Sequence, residues 1–516
     1  MVYFFPLLIY MGIGGGVLLL ATNAIPKLRI IHKPLAAAWM TLLTVVWATV
    51  PLSATWVLSV WAPMSVTGGW LILDLSPEIW WATLMFGAAV SGLLWVELAE
   101  RRIALSFGGT LLLFLFTVTW LALSAGSVLM TLALWAIFDI AWVVVRLVAG
   151  QEGERVVWAA AVQGFASVLL WTISLFLLRE GTSGIWWLMR PSNSSLVLLL
   201  IAGLMRVGFY PFQIVNTEVL SRSHPLTLMS IMNPIMGIAL LYRLISLPGL
   251  VVLPVWVVTW GILSLLWLGI KALSFRGRQA LLVAGHAALL GVVTGALVLG
   301  DAALLLLGTG TWVACMALLI VTKRFERRDF YLVWPAAIAV CFLIGAPPSP
   351  LFSLYRGLFE VPSWPLRIFG MLAFAGTAAA LLRSTSRQAQ GRVRPPHMYL
   401  LLSALAGLVL IVAVIIGAAV HVDLAAGAPV SLLLWTVALV LALVLAHFSN
   451  IVQRSLDRLR FLVDLVDLQW LYSAVWEGSE NMLGVLRATA DVVEGSGSVL
   501  WSLLIVLLVL MIMGSR

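Results

Sequence analysis

Apolar runs of about 20 residues follow one another along this chain with only short polar interruptions, and a run of that length crosses the ~30 Å hydrocarbon core of a bilayer as a helix. The first is Val2 to Ala21; others lie near 34–61, 77–98, 102–123, 126–149, 156–178, 194–215, 225–246, 249–270, 279–300, 302–321, 330–356, 366–382, 398–421, 429–447 and 496–514. Lys27, Arg29 and Lys33 follow the first run and no basic residue precedes it, so it reads as an uncleaved span. Of 516 residues, 63% are hydrophobic and 10% charged, with mean hydropathy +1.10. A water-soluble core cannot hide that much apolar surface, so lipid is the solvent. The expected fold class is an all-α polytopic membrane protein with about sixteen transmembrane helices.

Loop charge tests that count. With the N-terminus outside, 22 of the 30 Lys and Arg fall on the inner side, 6 on the outer side, and Arg146 and Arg206 lie within spans. A miscounted helix would invert every later loop, so a bias that persists to the C-terminus supports both number and orientation, with both termini outside. The formal net charge of +9 is spread over short loops and not gathered on a soluble domain, which excludes a nucleic-acid partner. Cys315 and Cys341 sit in apolar runs with no ligand-spaced His or Cys, so they read as core residues and no metal or cofactor site is expected.

Two spans carry proline at mid-membrane depth: Gly208-Phe-Tyr-Pro211-Phe, and Gly345-Ala-Pro347-Pro348-Ser-Pro350-Leu-Phe352. Proline removes a helical hydrogen bond there, and broken backbone in a membrane survives only inside protein or beside a watery cavity. Each break falls in the fourth of five consecutive spans, within 102–246 and 249–385. An odd-numbered set followed by its copy gives inverted topology, so the expectation is two inverted five-helix repeats, each with a broken helix. Residues 1–101 supply N-terminal spans, 386–449 C-terminal spans, 450–494 an interfacial amphipathic segment and 495–516 a terminal span.

Charge within a span is costly and calls for a role or a partner. Asp139 and Arg146 are seven apart, on one helical face; Arg206 precedes Pro211 by five residues; His286 lies in the span after the basic loop at 271–278. These residues fit either a structural ion pair or a proton relay. The stretch 302–322 has no Asp, Glu, His, Lys or Arg, and neither does 330–355.

The run Gly203-Leu-Met-Arg206-Val-Gly-Phe-Tyr-Pro211-Phe-Gln resembles the hallmark of the antiporter-like subunits of respiratory complex I (NADH–quinone oxidoreductase) and of Mrp-type cation/proton antiporters. Leu241-Tyr-Arg-Leu-Ile-Ser-Leu-Pro248 is similar to the end of their following helix, Gly345 to Phe352 to their second broken helix, and Leu71-Ile-Leu-Asp74-Leu-Ser76 to the segment leading into their third. The resemblance covers most of 65–420, is strongest at 203–248, and makes this a divergent member. It implies a proton- or cation-translocating subunit with Asp139, Arg206, His286, Arg146 and Arg356 along the pathway. Its implied partners are other membrane subunits of a multi-subunit complex and the lipid bilayer, and it admits a peripheral redox arm. The implied location is a bacterial inner membrane.

The departures are specific. The family pairs a Glu after the Trp of the fifth helix with a Lys of the broken seventh; here Ala136 follows Trp135, Asp139 lies one turn on, and Arg206 takes the Lys position. Arg holds its proton and is a poor proton carrier. The eighth-helix Lys or His is matched by Ile235 or Met236, and the Lys of the second broken helix is replaced around Tyr355 and Arg356. There is no phosphate loop, nucleophile elbow or metal-spaced cluster, so redox chemistry would belong to partner subunits and this chain would hold no cofactor. Three function classes stand: a translocating antiporter-like subunit, a degenerate structural subunit of such a complex, and an unrelated secondary transporter.

Overall fold

The computed structural model describes residues 4–50, 54–60, 70–99, 108–148, 153–213, 216, 224–247, 254–275, 277–322, 330–347, 349–386, 407, 429–458, 466 and 477. The chain divides into two compact units, Met1–Asp457 and Arg458–Arg516. In the second, only Arg458, Val466 and Glu477 are described. The expected span at 398–421 apart from Gly407, the terminal span, and the interfacial segment apart from 450–458, Val466 and Glu477 lie outside the described residues.

The first unit is built from α1 (Phe4–Ala24), α2 (Arg29–Ala48), β1 (Ala54–Val60), β2 (Trp70–Leu75), α3 (Pro77–Ala99), α4 (Gly108–Leu123), α5 (Val128–Val148), α6 (Gly153–Arg179) and α7 (Asn193–Val207). It continues with α8 (His224–Ile245), α9 (Val255–Ser274), α10 (Gly277–Leu299), α11 (Ala302–Thr322), α12 (Phe330–Leu343), α13 (Pro350–Gly357), α14 (Trp364–Ser386), α15 (Pro429–His447) and α16 (Ser449–Arg458). Among the described residues eight helices are long and apolar enough to cross a membrane, with five shorter apolar ones. The chain is an all-α polytopic membrane protein with one small β-hairpin.

That hairpin corrects the sequence reading. The apolar run 34–61 is longer than a membrane requires, and its helix stops at Ala48, where the Thr49 N–H turns back to Val46 O. Ala54–Val60, rich in Val and Thr, instead pairs antiparallel with Trp70–Leu75, Ala54 opposite Leu75 and Val60 opposite Trp70. The hairpin is stitched to the bundle by Asp74 N donating to Ser124 O at 2.7 Å and Gly126 N to Ile72 O at 2.8 Å.

Helices α4 to α8 form one set of five spans and α9 to α14 the next, with the break fourth in each: after α7, and between α12 and α13. Burial grades from centre to rim. In α10 and α11, 94% of the apolar window is enclosed by other helices, against 28% in α6 and 22% in α15. With no hydrophobic drive between helices in lipid, close packing comes from small residues. A Cβ on Gly237 of α8 would lie 2.7 Å from Gly203 O of α7, so these two helices meet backbone to backbone.

Candidate functional site at the first broken helix

Helix α7 is set at both ends. The Ser192 side chain caps its N-terminus by accepting from Ser195 N at 3.3 Å. Gly208, at φ +93°, ends it by returning its N–H to Leu204 O and Met205 O. Only glycine suits that position: besides the left-handed backbone, a Cβ there would lie 2.4 Å from Asn216 Nδ2.

Arg206 lies one turn before the break, its side chain fully enclosed, and pairs through Nη2 with Asp139 Oδ1 of α5. Among the described residues its Nε and Nη1 protons find no hydrogen-bond acceptor. The guanidinium carbon instead sits 4.9 Å from the Trp135 ring centre and 5.4 Å from that of Phe138, so two aromatic faces attract the charge where oxygen does not. Asp139 Oδ2 accepts from Ser167 Oγ of α6 at 2.6 Å. The Asp139 side chain stays 19% exposed, at a seam where Ile140 and Val168 present open apolar surface. Asp139 and Arg206, which the resemblance sets at paired positions, are in contact. Arg146, also fully buried, has its guanidinium carbon 5.5 Å from the Trp142 ring.

On the far side of the break, the Gly208 carbonyl accepts from His286 Nε2 of α10 at 3.2 Å, a contact only the Nε2–H form can make. Nδ1 is then the nitrogen left to take a further proton. Val207 O accepts from Asn216 Nδ2 at 2.9 Å, and Asn216 Oδ1 accepts from Asn233 Nδ2 of α8 at 2.8 Å. Tyr210 N donates to Ser264 Oγ at 3.0 Å, and Tyr210 O accepts from Trp260 Nε1 at 2.6 Å. Pro211 follows Tyr210 inside this non-helical turn. The broken turn therefore separates an ion pair on its α5 side from a His–amide cluster on its α8–α10 side.

Sequence reasoning missed Asn216 and Asn233, because an isolated Asn in an apolar run carries no period or motif. It also missed Asp74 with Arg243. Arg243 Nη1 donates to Asp74 Oδ2 at 2.6 Å, its Nη2 to Asp74 O at 3.1 Å, and Tyr242 OH lies 2.9 Å from Ser76 Oγ. Opposite charges at the same end of two spans were the available signal.

The second break contains no such cluster among the described residues. Tyr355 OH donates to Leu343 O at 2.9 Å, Ser349 Oγ to Phe342 O at 3.3 Å, and Pro350 opens α13. Pro347 lies in the turn, while Pro348 is outside the described residues. Arg356 pairs with Glu360 at 3.1 Å, four residues on along its own segment and away from the first break's polar groups.

No protein-family model matches the sequence, and no curated protein sequence is similar to it. Its fold is similar to that of solved membrane complexes. A chain of the Mrp complex from Dietzia sp. is 16% identical with TM-score 0.74 over 99% of this chain and 62% of that one. A chain of the membrane-bound sulfane sulfur reductase, an archaeal respiratory membrane complex, is 16% identical with TM-score 0.64 over 98% and 99%. A chain of respiratory complex I from Thermus thermophilus is 16% identical with TM-score 0.62 over 86% and 99%. The present chain spans about three fifths of the Mrp-complex chain it matches.

Proposed function

We propose that this chain is an antiporter-like membrane subunit that takes part in proton or cation translocation within an Mrp-like or complex I-like assembly. Asp139 is the protonatable group and Arg206 the fixed charge beside it. The observation that carries the reading is the buried Arg206–Asp139 pair placed one turn before a broken transmembrane helix. Charge is retained at that depth where it does work or holds a structure together, and half-helix ends are where membrane transporters place their ions. His286, on the opposite side of the turn, is the second proton acceptor.

The assembly places this chain beside other membrane subunits in a bacterial inner membrane, with both termini outside and any redox chemistry in a peripheral arm. The repeats run over 102–246 and 249–385, and 450–494 braces the inner face. A non-conducting structural subunit is the second reading, and one observation favours it: the second break is filled by Tyr355, with no Asp, Glu, His, Lys or Arg in α11 or α12.

Proton flux in vesicles holding the intact assembly separates the two. A conducting subunit loses flux per assembled complex on Asp139→Asn and keeps it on Arg206→Lys. A scaffold loses assembled complex with both substitutions and shows unchanged flux in what remains, because Lys cannot reproduce the guanidinium's reach across two rings and a carboxylate.

A further inference from the structure

The second break differs from the first in what fills it. Tyr355 is 2% exposed, and its ring enters a slot lined by glycines. A Cβ on Gly345, which sits at φ +73°, would come 2.7 Å from Tyr355 Cδ2, and one on Gly291 of α10 would come 2.6 Å from Cε1. Below the ring, a Cβ on Gly295 would lie 2.1 Å from Leu354 O, and one on Gly308 of α11 would lie 2.4 Å from Leu354 Cδ1. Phe374 of α14 closes the remaining side, edge to face at 5.0 Å. The hydroxyl meets Leu343 O at 2.9 Å with Ala288 O at 3.3 Å, so it occupies the place a water would take among the freed carbonyls.

We infer that Tyr355 is a seal: it closes the second broken helix to water and ions, so that charge moved by this chain bypasses the second break. The closing clause rests on the translocating reading; the seal itself does not. The backbone groups released by a helix break must be satisfied inside a membrane. At the first break they bind side chains that can also exchange protons or bind water. Here they bind a phenol packed on four sides, and neither α11 nor α12 offers an Asp, Glu, His, Lys or Arg to carry a proton onward. Gly345, Gly291 of α10 and Phe374 of α14, which touch the ring, carry no ionisable side chain. Gly345 and Gly291 matter because a larger residue at either would expel the ring, so slot and plug form one fitted unit.

Cys315 of α11, fully buried and within electrostatic range of the Tyr355 hydroxyl, is a built-in reporter. The exposed Cys341 is replaced by Ser, and the full chain in its native assembly is treated with the cationic thiol reagent methanethiosulfonate ethylammonium. We expect Cys315 to stay unlabelled in that background and with Tyr355→Phe, which keeps the ring. With Tyr355→Ser it should be labelled, since the new hydroxyl, Leu343 O and Ala288 O together give an entering water three partners.

Labelling with Tyr355 intact overturns the seal, and so does full protection in a Tyr355→Ser assembly that still melts cooperatively. Should Tyr355→Ser fail to assemble, amide exchange in the unaltered chain decides. Gly345 and Ala346 N–H should exchange more slowly than Phe212 and Asn216 N–H, and equal rates overturn the proposal. None of these readouts depends on Asp139, so a negative flux result for Asp139→Asn would leave the seal standing, and the reverse also holds.

Discussion

At the first broken helix the freed backbone groups are met by side chains from other elements: His286 of α10 on Gly208 O, Asn216 on Val207 O with Asn233 of α8 behind it, and Ser264 of α9 on Tyr210 N. At the second they are met locally, by Ser349 on Phe342 O and Tyr355 on Leu343 O. Both satisfy a broken backbone in lipid, yet one does so with groups that can pass a proton and the other with a packed ring. Charge follows that division among the described residues: Arg206, fully enclosed, pairs with Asp139 beside the first break, while beyond the second the Arg356–Glu360 pair has both side chains partly exposed.

The largest expected effect tests that division directly. Removing one partner of a buried ion pair strands a charge, at a cost of ~3–5 kcal/mol, whereas removing both is nearly neutral. Asp139→Asn should therefore lower thermal stability in detergent strongly, and Asp139→Asn combined with Arg206→Met should recover most of it. Glu360→Gln, breaking the partly exposed pair, should cost at most ~1 kcal/mol. Comparable losses at Asp139 and Glu360 would remove the contrast.

Glycine substitution at the two turns sharpens it. Gly208 and Gly345 both have positive φ, so alanine at either strains the backbone by ~1–2 kcal/mol. At Gly345 the new methyl also strikes the Tyr355 ring, which is fixed on all sides, adding ~1–3 kcal/mol of overpacking. At Gly208 it strikes the ends of Asn216 and His286, which can swing away. Gly345→Ala should be the more destabilising in a melting experiment, and Gly208→Ala the more damaging to flux. The opposite order in stability would mean that the second slot is looser than its packing implies. A smaller step along the same line is Tyr355→Phe, which keeps the ring and strands Leu343 O; a loss of about 1–3 kcal/mol in unfolding free energy is expected.

Much of this was legible in the sequence because membranes simplify the code. Apolar length and proline inside an apolar run are one-dimensional signals, and they gave the all-helical class and the breaks, while the pairing of Asp139 with Arg206 came from the family resemblance. The failures share one cause: contacts that depend on which helices touch. Asn233 pairs with Asn216 because α8 lies against α7 through Gly237 and Gly203, and no local pattern around either Asn says so. The hairpin at 54–75 was hidden for another reason. Its Val, Leu and Trp extend an apolar run, so length alone assigned it to a helix, although β-branched residues and a register against Trp70–Leu75 favour strand. Tyr355 could be seen to replace a family charge, yet its role as a plug depends on Gly291, which lies on another helix far upstream in the chain.

The smallest expected effect lies at the outer rim of the first repeat, where pH can be used as the probe. Glu180, just past the end of α6, accepts from Ser192 Oγ at 2.6 Å, Ser195 Oγ at 2.8 Å and Ser192 N at 3.2 Å. Those hydrogen bonds, the Ser192 hydroxyl first, favour the carboxylate and hold its pKa below the usual glutamate value. A folded-state pKa below the unfolded one gives stability that is fully present above the unfolded value and is lost as pH falls through the folded one. The carboxylate is almost fully open to solvent, so screening keeps the contribution small. The loop 180–192 nonetheless joins α6 to the capped start of α7, so the bond sets how the broken helix enters the bundle. Glu180→Gln should melt slightly below the unaltered chain at pH 7, and the difference should vanish as pH is lowered through the acid range. A difference that persists at acid pH would mean that the side chain acts by shape and not by charge. No such pH-dependent tie to Ser192 and Ser195 has a counterpart among the described residues at the second broken helix, where α13 is capped by the neutral Ser349; Ser349→Ala should therefore show a stability loss that does not change with pH.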